Sequence, residues 1–235
     1  MKIKLLVAAA ATVVASSAMA QSAFEGFYGQ IATGYESNSA SSLNGTGIFP
    51  GNANDTWNAG NQQFGGAPLV IGLGYNLTVA PKWVVGLGVD YSAISQKSSS
   101  YSSTSPTQPG TTITGQTLQA SNRFNIFVTP GYEIDKDKLA YFKAGYSSIS
   151  EKYTPPGSTS ANPNSGSSSS TVGGYVVGLG YKQIITDGFY GFAEGNYMSY
   201  SKPTLSTGFG TNGYKINTSP SINSYQLLVG VGYKF

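Results

Sequence analysis

The side chains that could carry out acid–base or electrostatic chemistry are scarce in this sequence. Charged residues make up 10% of the 235 residues, and the chain has neither histidine nor cysteine; soluble domains usually carry about 25% charged residues. The commonest general base, the commonest metal ligand and the thiol nucleophile are therefore missing. Serine is abundant, but its clusters at 98–100 and 167–170 have no base to activate a hydroxyl group. The composition predicts a protein that is not an enzyme, with no catalytic, metal or cofactor site.

Eight charged residues nevertheless fall on one face of the predicted strands, four of each sign. The acidic ones are Glu36, Asp90, Glu133 and Glu194, and the basic ones are Arg123, Lys143, Lys182 and Lys234. If this face lines the lumen of a narrow barrel, the charges must pair, because an unpaired buried charge is costly. A structural network of salt bridges is one interpretation. A gated polar path for ions or small solutes is the other.

The elements that would position these charges are strands with one apolar face and one small or polar face. In residues 224–235, aliphatic and aromatic side chains alternate with Gln226, Gly230, Gly232 and Lys234, and successive side chains of a strand point to opposite faces. The same alternation marks seven earlier segments: 26–36, 68–77, 83–93, 122–134, 139–148, 174–182 and 189–200. The fold class predicted is all-β, an eight-stranded antiparallel up-and-down transmembrane β-barrel.

The connections between these strands alternate in length. Short turns are predicted at 78–82, 135–138 and 183–188, and long polar loops at 37–66, 94–121, 149–173 and 201–223. Such asymmetry is typical of outer-membrane barrels, whose short turns face the periplasm. The long loops can be interpreted in two ways: as solvated surface segments that adopt no single conformation, or as a binding surface. In the second case, the aromatic side chains of the loops would be contact residues: Phe49, Trp57, Phe64, Tyr101 and Tyr153.

Aromatic residues recur near both ends of the apolar faces, often as a Gly-Tyr dipeptide with the glycine on the inner face. At the membrane surface, the ring of an aromatic side chain can pack against lipid while its polar atom remains hydrated. This pattern predicts two aromatic girdles, formed by Tyr35, Tyr91 and Tyr197 at one end and Tyr75, Trp83, Tyr132, Tyr181 and Tyr233 at the other.

The first twenty residues have the pattern of a cleaved signal peptide. Lys2 and Lys4 precede an apolar run at 5–14, and Ala18 and Ala20 form an Ala-x-Ala cleavage site. We expect residues 1–20 to be removed and residues 21–235 to form one barrel domain. The leader holds two of the 13 basic residues and none of the 10 acidic ones, so the mature net charge is 11 − 10 = +1. That balance gives no basic surface for nucleic acid.

The segments 139–146 (LAYFKAGY) and 193–197 (AEGNY), together with the ending Tyr233-Lys-Phe235, resemble the small eight-stranded outer-membrane barrels. These include the OmpA transmembrane domain, OmpX-like proteins, opacity-type surface antigens and other porin-like barrels. The resemblance implies that Tyr233 and Phe235 form the assembly signal for the barrel-assembly machinery. It also implies a monomer in the outer membrane, in contact with lipid and lipopolysaccharide.

Three roles remain open from the sequence. The first is a structural or surface-exposed barrel whose lumen is filled by paired charges. The second is a small porin-like channel for ions or small solutes. The third is an adhesin or receptor that binds a surface ligand through its loops.

Overall fold

The computed structural model describes residues 22–157, 166–209 and 213–235. The predicted leader and its cleavage residues Ala18 and Ala20 lie outside the described residues. Within these ranges, no helix is long and apolar enough to cross a membrane. The strands are β1 (Gly26–Ser41), β2 (Gly45–Ile48), β3 (Asp55–Ala59), β4 (Gln62–Gly66), β5 (Leu69–Ala80), β6 (Trp83–Ser92), β7 (Gln96–Lys97), β8 (Tyr101–Thr104), β9 (Thr112–Asp135), β10 (Lys138–Thr154), β11 (Ser168–Thr186), β12 (Phe189–Tyr200), β13 (Leu205–Phe209), β14 (Tyr214–Thr218) and β15 (Ser221–Lys234).

Eight of these strands close into an antiparallel ring, in the order β1, β5, β6, β9, β10, β11, β12 and β15. The ring closes where β15 returns to β1, in a register that runs from Tyr28 opposite Lys234 to Ser41 opposite Ser221. Closure leaves no free edge in the ring, so the backbone groups of the wall are satisfied between strands. The eight-stranded antiparallel barrel predicted from the sequence is confirmed.

The two faces of the wall follow the predicted alternation. On β6, the side chains of Val85 and Leu87 are exposed while those of Val84, Asp90 and Ser92 are buried. The strand with the weakest pattern, β12, buries Tyr190 and Phe192 on the same face as Glu194. Exposed aliphatic and aromatic side chains therefore form the outside of the barrel, and the lumen holds the polar side chains together with a separate set of apolar and aromatic ones.

The predicted long loops differ most from the structure. They contain short strands, and β1, β9, β10, β11 and β15 extend into them. We call the folded unit at this outer end the dome: β2, β3, β8, β13, β14 and the outer parts of β9, β10 and β11. Its sheet runs from β9 through β8, β3, β2 and β14 to β13. It curls back toward β11, where Ser206 N donates to Ser168 Oγ at 3.3 Å.

Apolar side chains fill the space between the dome and the barrel. We call this cluster the apolar plug: Ala40, Leu43, Phe64, Tyr101, Leu118, Ala120, Ile149, Tyr153, Val172, Val176, Met198, Tyr200, Leu205 and Ile222. Val176, Met198 and Tyr200 belong to predicted barrel strands, but most of the other plug residues come from polar segments in which only about every second residue is apolar. The low overall apolarity made the segments look like loop, but period-two alternation is sufficient for a strand with one buried face.

At the inner end, which carries the short turns, residues 22–25 run across the barrel mouth. Phe24 is buried against Val84 and Leu139, and its carbonyl accepts a hydrogen bond from Asn76 Nδ2 at 3.0 Å. The first described residues therefore cover the lumen from below, as the apolar plug does from above.

Candidate functional site in the barrel lumen

The outermost polar layer of the lumen is built around Arg123 on β9. Its guanidinium forms a buried ion pair with Glu36 of β1. Three further donors are used as well: Nε donates to Tyr200 Oη at 2.9 Å, and Nη2 donates to Asn38 Oδ1 at 2.9 Å and to Ser224 Oγ at 3.0 Å. A buried arginine is tolerated when its planar fork is satisfied in this way.

Strand register brings the partners of this layer together. In the β1–β15 pair, Glu36 lies opposite Gln226 and Asn38 lies opposite Ser224. Gln226 Nε2 donates to Glu36 Oε2 at 2.7 Å, and Asn38 Nδ2 donates to Glu36 Oε1 at 2.9 Å. The sequence predicted the two charges but none of these neutral partners. Alternation along a strand assigns a residue to the inner or the outer face, but it does not say how far along the barrel axis the residue lies.

The second layer is centred on Lys143 of β10, which is only 1% exposed. Its Nζ lies 2.8 Å from Asp90 Oδ2 on β6 and 2.9 Å from Glu194 Oε1 on β12. The same Nζ lies 4.0 Å from the centre of the Phe127 ring. One ammonium group thus links strands from different sides of the barrel across the lumen.

Neutral side chains complete the hydrogen bonding of the two carboxylates. Asn125 Nδ2 donates to Asp90 Oδ1 at 2.6 Å. Glu194 accepts from Asn196 Nδ2 at 2.7 Å and from Tyr141 Oη at 2.7 Å. Every oxygen of the two carboxylates thus has a partner, whereas the Oδ1 atoms of Asn125 and Asn196 have none among the described residues. A buried network whose charges are satisfied favours one geometry.

Lys182 of β11 is buried like Lys143 but is held differently. Its Nζ lies 4.1 Å, 5.0 Å and 5.3 Å from the ring centres of Tyr28, Tyr190 and Tyr141. Such ring faces attract a cation through their quadrupole. Within the described residues, Lys182 has no carboxylate at salt-bridge distance, so the expectation that every lumen charge forms an ion pair is wrong here.

The inner-face glycines of the Gly-Tyr dipeptides make room for these rings. A Cβ atom at Gly180 would collide with the ring of Tyr141, and one at Gly232 would collide with the ring of Tyr190. The glycines that the sequence suggested as space in a narrow lumen are therefore the positions that receive the aromatic side chains.

Two further predicted lumen charges lie near the inner mouth and also lack an ion pair in the described part of the chain. Glu133 accepts a hydrogen bond from the Ser22 hydroxyl. Lys234 is half-buried and lies beside the cavity at the inner mouth. Of the eight predicted lumen charges, five form two separate ion-pair layers. The other three, Lys182, Glu133 and Lys234, have other partners or none among the described residues.

The predicted girdle residues all point away from the lumen. Tyr35, Tyr75, Trp83, Tyr91, Tyr132, Tyr181 and Tyr233 are exposed, and Tyr197 is half-buried between neighbouring rings. Several contact other aromatic side chains edge to face, such as Trp83 with Tyr132 at 5.2 Å between ring centres. The prediction omitted the outward rings of Phe27, Tyr146, Tyr175, Phe189 and Tyr225, which the same alternation could have supplied.

The predicted assembly signal lies at the inner edge of the wall. Phe235 is 76% exposed, and its ring lies 5.2 Å from that of Tyr233. The backbone N–H of Phe235 donates to the Phe27 carbonyl at 2.9 Å. The terminal ring is thus held at the surface by the β1–β15 seam.

Four of the five loop aromatics proposed as contact residues are not available at the surface. Trp57, Tyr101 and Tyr153 are buried in the dome, Phe64 of β4 is buried in the apolar plug, and Phe49 is half-buried beside Tyr214. Their role as exposed contact residues is corrected: they are core side chains, because the segments that carry them are strands with an inner face.

The dome buries two carboxyl groups that the sequence did not single out, and of these Asp55 accepts hydrogen bonds from Ser105, Gln108 and Tyr214. Glu151 of β10 lies beyond the outward ring of Tyr146, is 1% exposed, and its Oε1 has no hydrogen-bond partner in the described residues. Burial raises the pKa of Glu151 to about 8, although attraction by Arg123 opposes the shift. A neutral carboxylic acid is therefore the favoured form of this group near pH 7.

A family model for outer membrane protein β-barrel domains matches residues 6–235. No match was found among curated protein sequences. Among solved structures, the outer membrane protein OprG from Pseudomonas aeruginosa is similar, with a TM-score of 0.57, 12% identity and coverage of 92% of this chain and 99% of that one. Neisserial surface protein A gives a TM-score of 0.51, 19% identity and coverage of 89% and 97%.

The outer membrane protease OmpT from Escherichia coli is similar as well, with a TM-score of 0.50, 12% identity and coverage of 94% and 100%. At such identities these likenesses concern the fold alone. Within the described residues, no group of three or more acidic side chains could hold a metal ion.

Proposed function

Because the chain belongs to the outer membrane protein β-barrel family, we propose that it is a closed, non-conducting barrel that presents a folded dome outside the cell. In such barrels the short turns face the periplasm and the long connections face outward. The inner mouth is then periplasmic, and the dome stands above the outer leaflet of a Gram-negative outer membrane, in contact with lipopolysaccharide. No catalytic role is part of this proposal.

The observation that carries the proposal is the closure of the lumen at Lys143. Its Nζ pairs with Asp90 at 2.8 Å and with Glu194 at 2.9 Å, so three strands contribute to one buried layer. Above it lie the Arg123 layer and the apolar plug. An eight-stranded barrel is only wide enough for its side chains to fill it, and filled layers leave no path for a hydrated ion.

The test is conductance of the refolded mature protein in a planar bilayer. We expect a silent bilayer, with insertion verified by a difference in gel mobility between unboiled and boiled protein. A variant that opens both layers, Arg123→Ala with Lys143→Ala, serves as the comparison for conduction. Reproducible discrete steps from the unmodified protein, altered by Lys143→Met, would overturn the proposal in favour of a small channel.

A second role, an adhesin or receptor, is favoured by the folded state of the dome. Binding is more favourable when the surface is already ordered, because less conformational entropy is lost. The buried Trp57 indole donates to Tyr214 Oη at 2.5 Å, which ties β3 to β14 and fixes the shape of the dome. The ligand would meet the outer, polar faces of the dome strands rather than the aromatic side chains.

The adhesin role is tested on whole cells. Replacing residues 205–218 by a short Gly-Ser linker removes the β13–β14 hairpin, and the gel-mobility shift verifies that the barrel remains. Attachment to a host-cell or abiotic surface that falls with this replacement would support the role. Attachment equal to that of cells with the intact protein would exclude this hairpin as the binding element.

A further inference from the structure

A cavity of about 240 Å³ lies at the periplasmic mouth and has no part in the proposed surface role. Its wall comes from residues 23 and 24, from several barrel strands and from the turn between β11 and β12: Ala23, Phe24, Tyr28, Asn76, Lys182, Ile184, Gly188, Tyr190 and Lys234. For scale, an apolar cavity of about 150 Å³ holds a benzene molecule. The space is therefore sufficient for an aromatic ring with one small polar substituent.

The wall of this cavity carries two cations and no carboxylate. Lys182 and Lys234 both line it, and within the described residues neither ammonium group has a salt bridge or a hydrogen-bond acceptor. Three tyrosine ring faces surround Lys182 Nζ, but rings do not accept its three N–H donors as an oxygen would. An anionic oxygen entering the cavity would supply these acceptors and balance the charge.

Apart from Asn76, the rest of the wall is apolar or aromatic. Phe24 and Ile184 face the cavity together with the rings of Tyr28 and Tyr190. A strongly hydrated inorganic anion gains nothing from such a surface, whereas a ligand with an apolar body buries area there. The N-terminal part of the wall is held by Asn76, whose side-chain N–H donates to the Phe24 carbonyl at 3.0 Å, so the cavity is formed before a ligand arrives.

We propose that this cavity is a binding site for small amphiphilic monoanions, an aromatic or short aliphatic carboxylate, approached from the periplasm. Lys182 binds the carboxylate at the closed end, and Lys234 attracts it at the entrance. Phe24, Ile184 and the tyrosine rings hold the apolar body. The site ends below the Lys143 layer, so binding does not require passage through the barrel.

The test is calorimetric titration of the refolded full-length mature protein in detergent micelles with benzoate as the probe. We expect saturable binding of one benzoate. The neutral isostere benzamide and inorganic phosphate should each bind at least about tenfold more weakly, because one lacks the charge and the other the apolar body. No benzoate binding, or equal affinity for benzoate and benzamide, would overturn the anion site.

Single substitutions test whether Lys182 and Lys234 bind the carboxylate. Lys182→Met keeps an apolar chain among the rings and should weaken benzoate at least about tenfold through loss of a charge-assisted hydrogen bond. Lys136→Met, which removes the same charge from an exposed turn, is the matched control and should leave affinity unchanged. If Lys182→Met fails the gel-mobility test for folding, Lys234→Met at the half-buried entrance decides instead. If Lys182→Met and Lys234→Met both fold and both bind benzoate with unchanged affinity, the two lysines do not form the anion site.

Discussion

Lys143 Nζ and Asp90 Oδ2 lie 2.8 Å apart across the lumen, and the same ammonium group reaches Glu194 at 2.9 Å. One cation therefore serves two carboxylates in a buried layer. Removing the cation leaves two buried anions unpaired, which is more damaging than removing the whole set.

Lys143→Met should lower the free energy of unfolding by about 3–5 kcal/mol, because it leaves Asp90 and Glu194 without their counter-ion. The measurement is urea unfolding of the barrel in lipid vesicles. Adding Asp90→Asn and Glu194→Gln should restore much of the loss. Lys152→Met, at an exposed position of the same strand, should change little; a similar loss there would mean that the ion pairs are not responsible.

Glu151 should make the dome less stable as the pH rises. Its pKa is raised from an ordinary 4.5 to about 8 by burial, so the folded chain favours the protonated acid. Stability should be highest below about pH 4.5, fall between about pH 4.5 and 8 by up to about 1.4 kcal/mol per pH unit, and then level off. Unfolding measured across this range should show that fall.

Glu151→Gln should remove most of this pH dependence and stabilise the protein at pH 8. Asp187→Asn, a carboxyl-to-amide change in an exposed turn, is the control and should keep the dependence. The same slope in Glu151→Gln and in the unmodified protein would assign the titration to another group.

Leu73→Arg should cost about 2–4 kcal/mol, the penalty for a cation on the lipid face near the middle of the membrane. Leu73 is 59% exposed on the outside of β5. Thr46→Arg, on an exposed face of the dome, should be nearly neutral. Unfolding of both variants in vesicles is the measurement, and equal stability would mean that the outer face of β5 does not meet lipid.

Deleting Phe235 should slow insertion by the barrel-assembly machinery while leaving spontaneous refolding in detergent largely intact. The exposed terminal ring makes few contacts within the barrel, so its removal should affect recognition more than stability. Surface appearance in cells and the gel-mobility shift in vitro separate the two effects. Unchanged insertion in cells would remove Phe235 from the assembly signal.

The ring of eight strands was predictable because the period-two pattern is strict wherever one face meets lipid. Even β12 could be oriented, since placing Glu194 inside forces Tyr190 inside as well. The dome was not predictable from composition, because its buried side chains, such as Leu118 and Ile149, stand singly among serine and threonine. The overall apolar content of a segment does not reveal a strand in which only alternate residues are buried.

The lumen shows the same limit. Alternation along the strands predicts that Lys143 and Lys182 lie on the inner face, and both side chains are buried. The same alternation gives no depth along the barrel and no partner across it. One lysine meets two carboxylates and the other meets three tyrosine rings. The covering of the mouth by Phe24 could not be foreseen either, because a single apolar residue before the first strand carries no periodic signal.

Strand β9 runs without interruption from the dome at Thr112 to the periplasmic turn at Asp135. From the outward ring of Phe124 to Thr112 it spans roughly 40 Å of strand at about 3.3 Å per residue. The same strand bulges at Asn122, where φ is +51° and the register with β10 shifts. The barrel wall itself therefore carries the dome and sets its height above the headgroups. Removing two residue pairs from the β9–β10 ladder above the membrane would lower the dome by at most about 7 Å. A docked partner would then lie closer to the membrane, while the residues that contact it would stay the same.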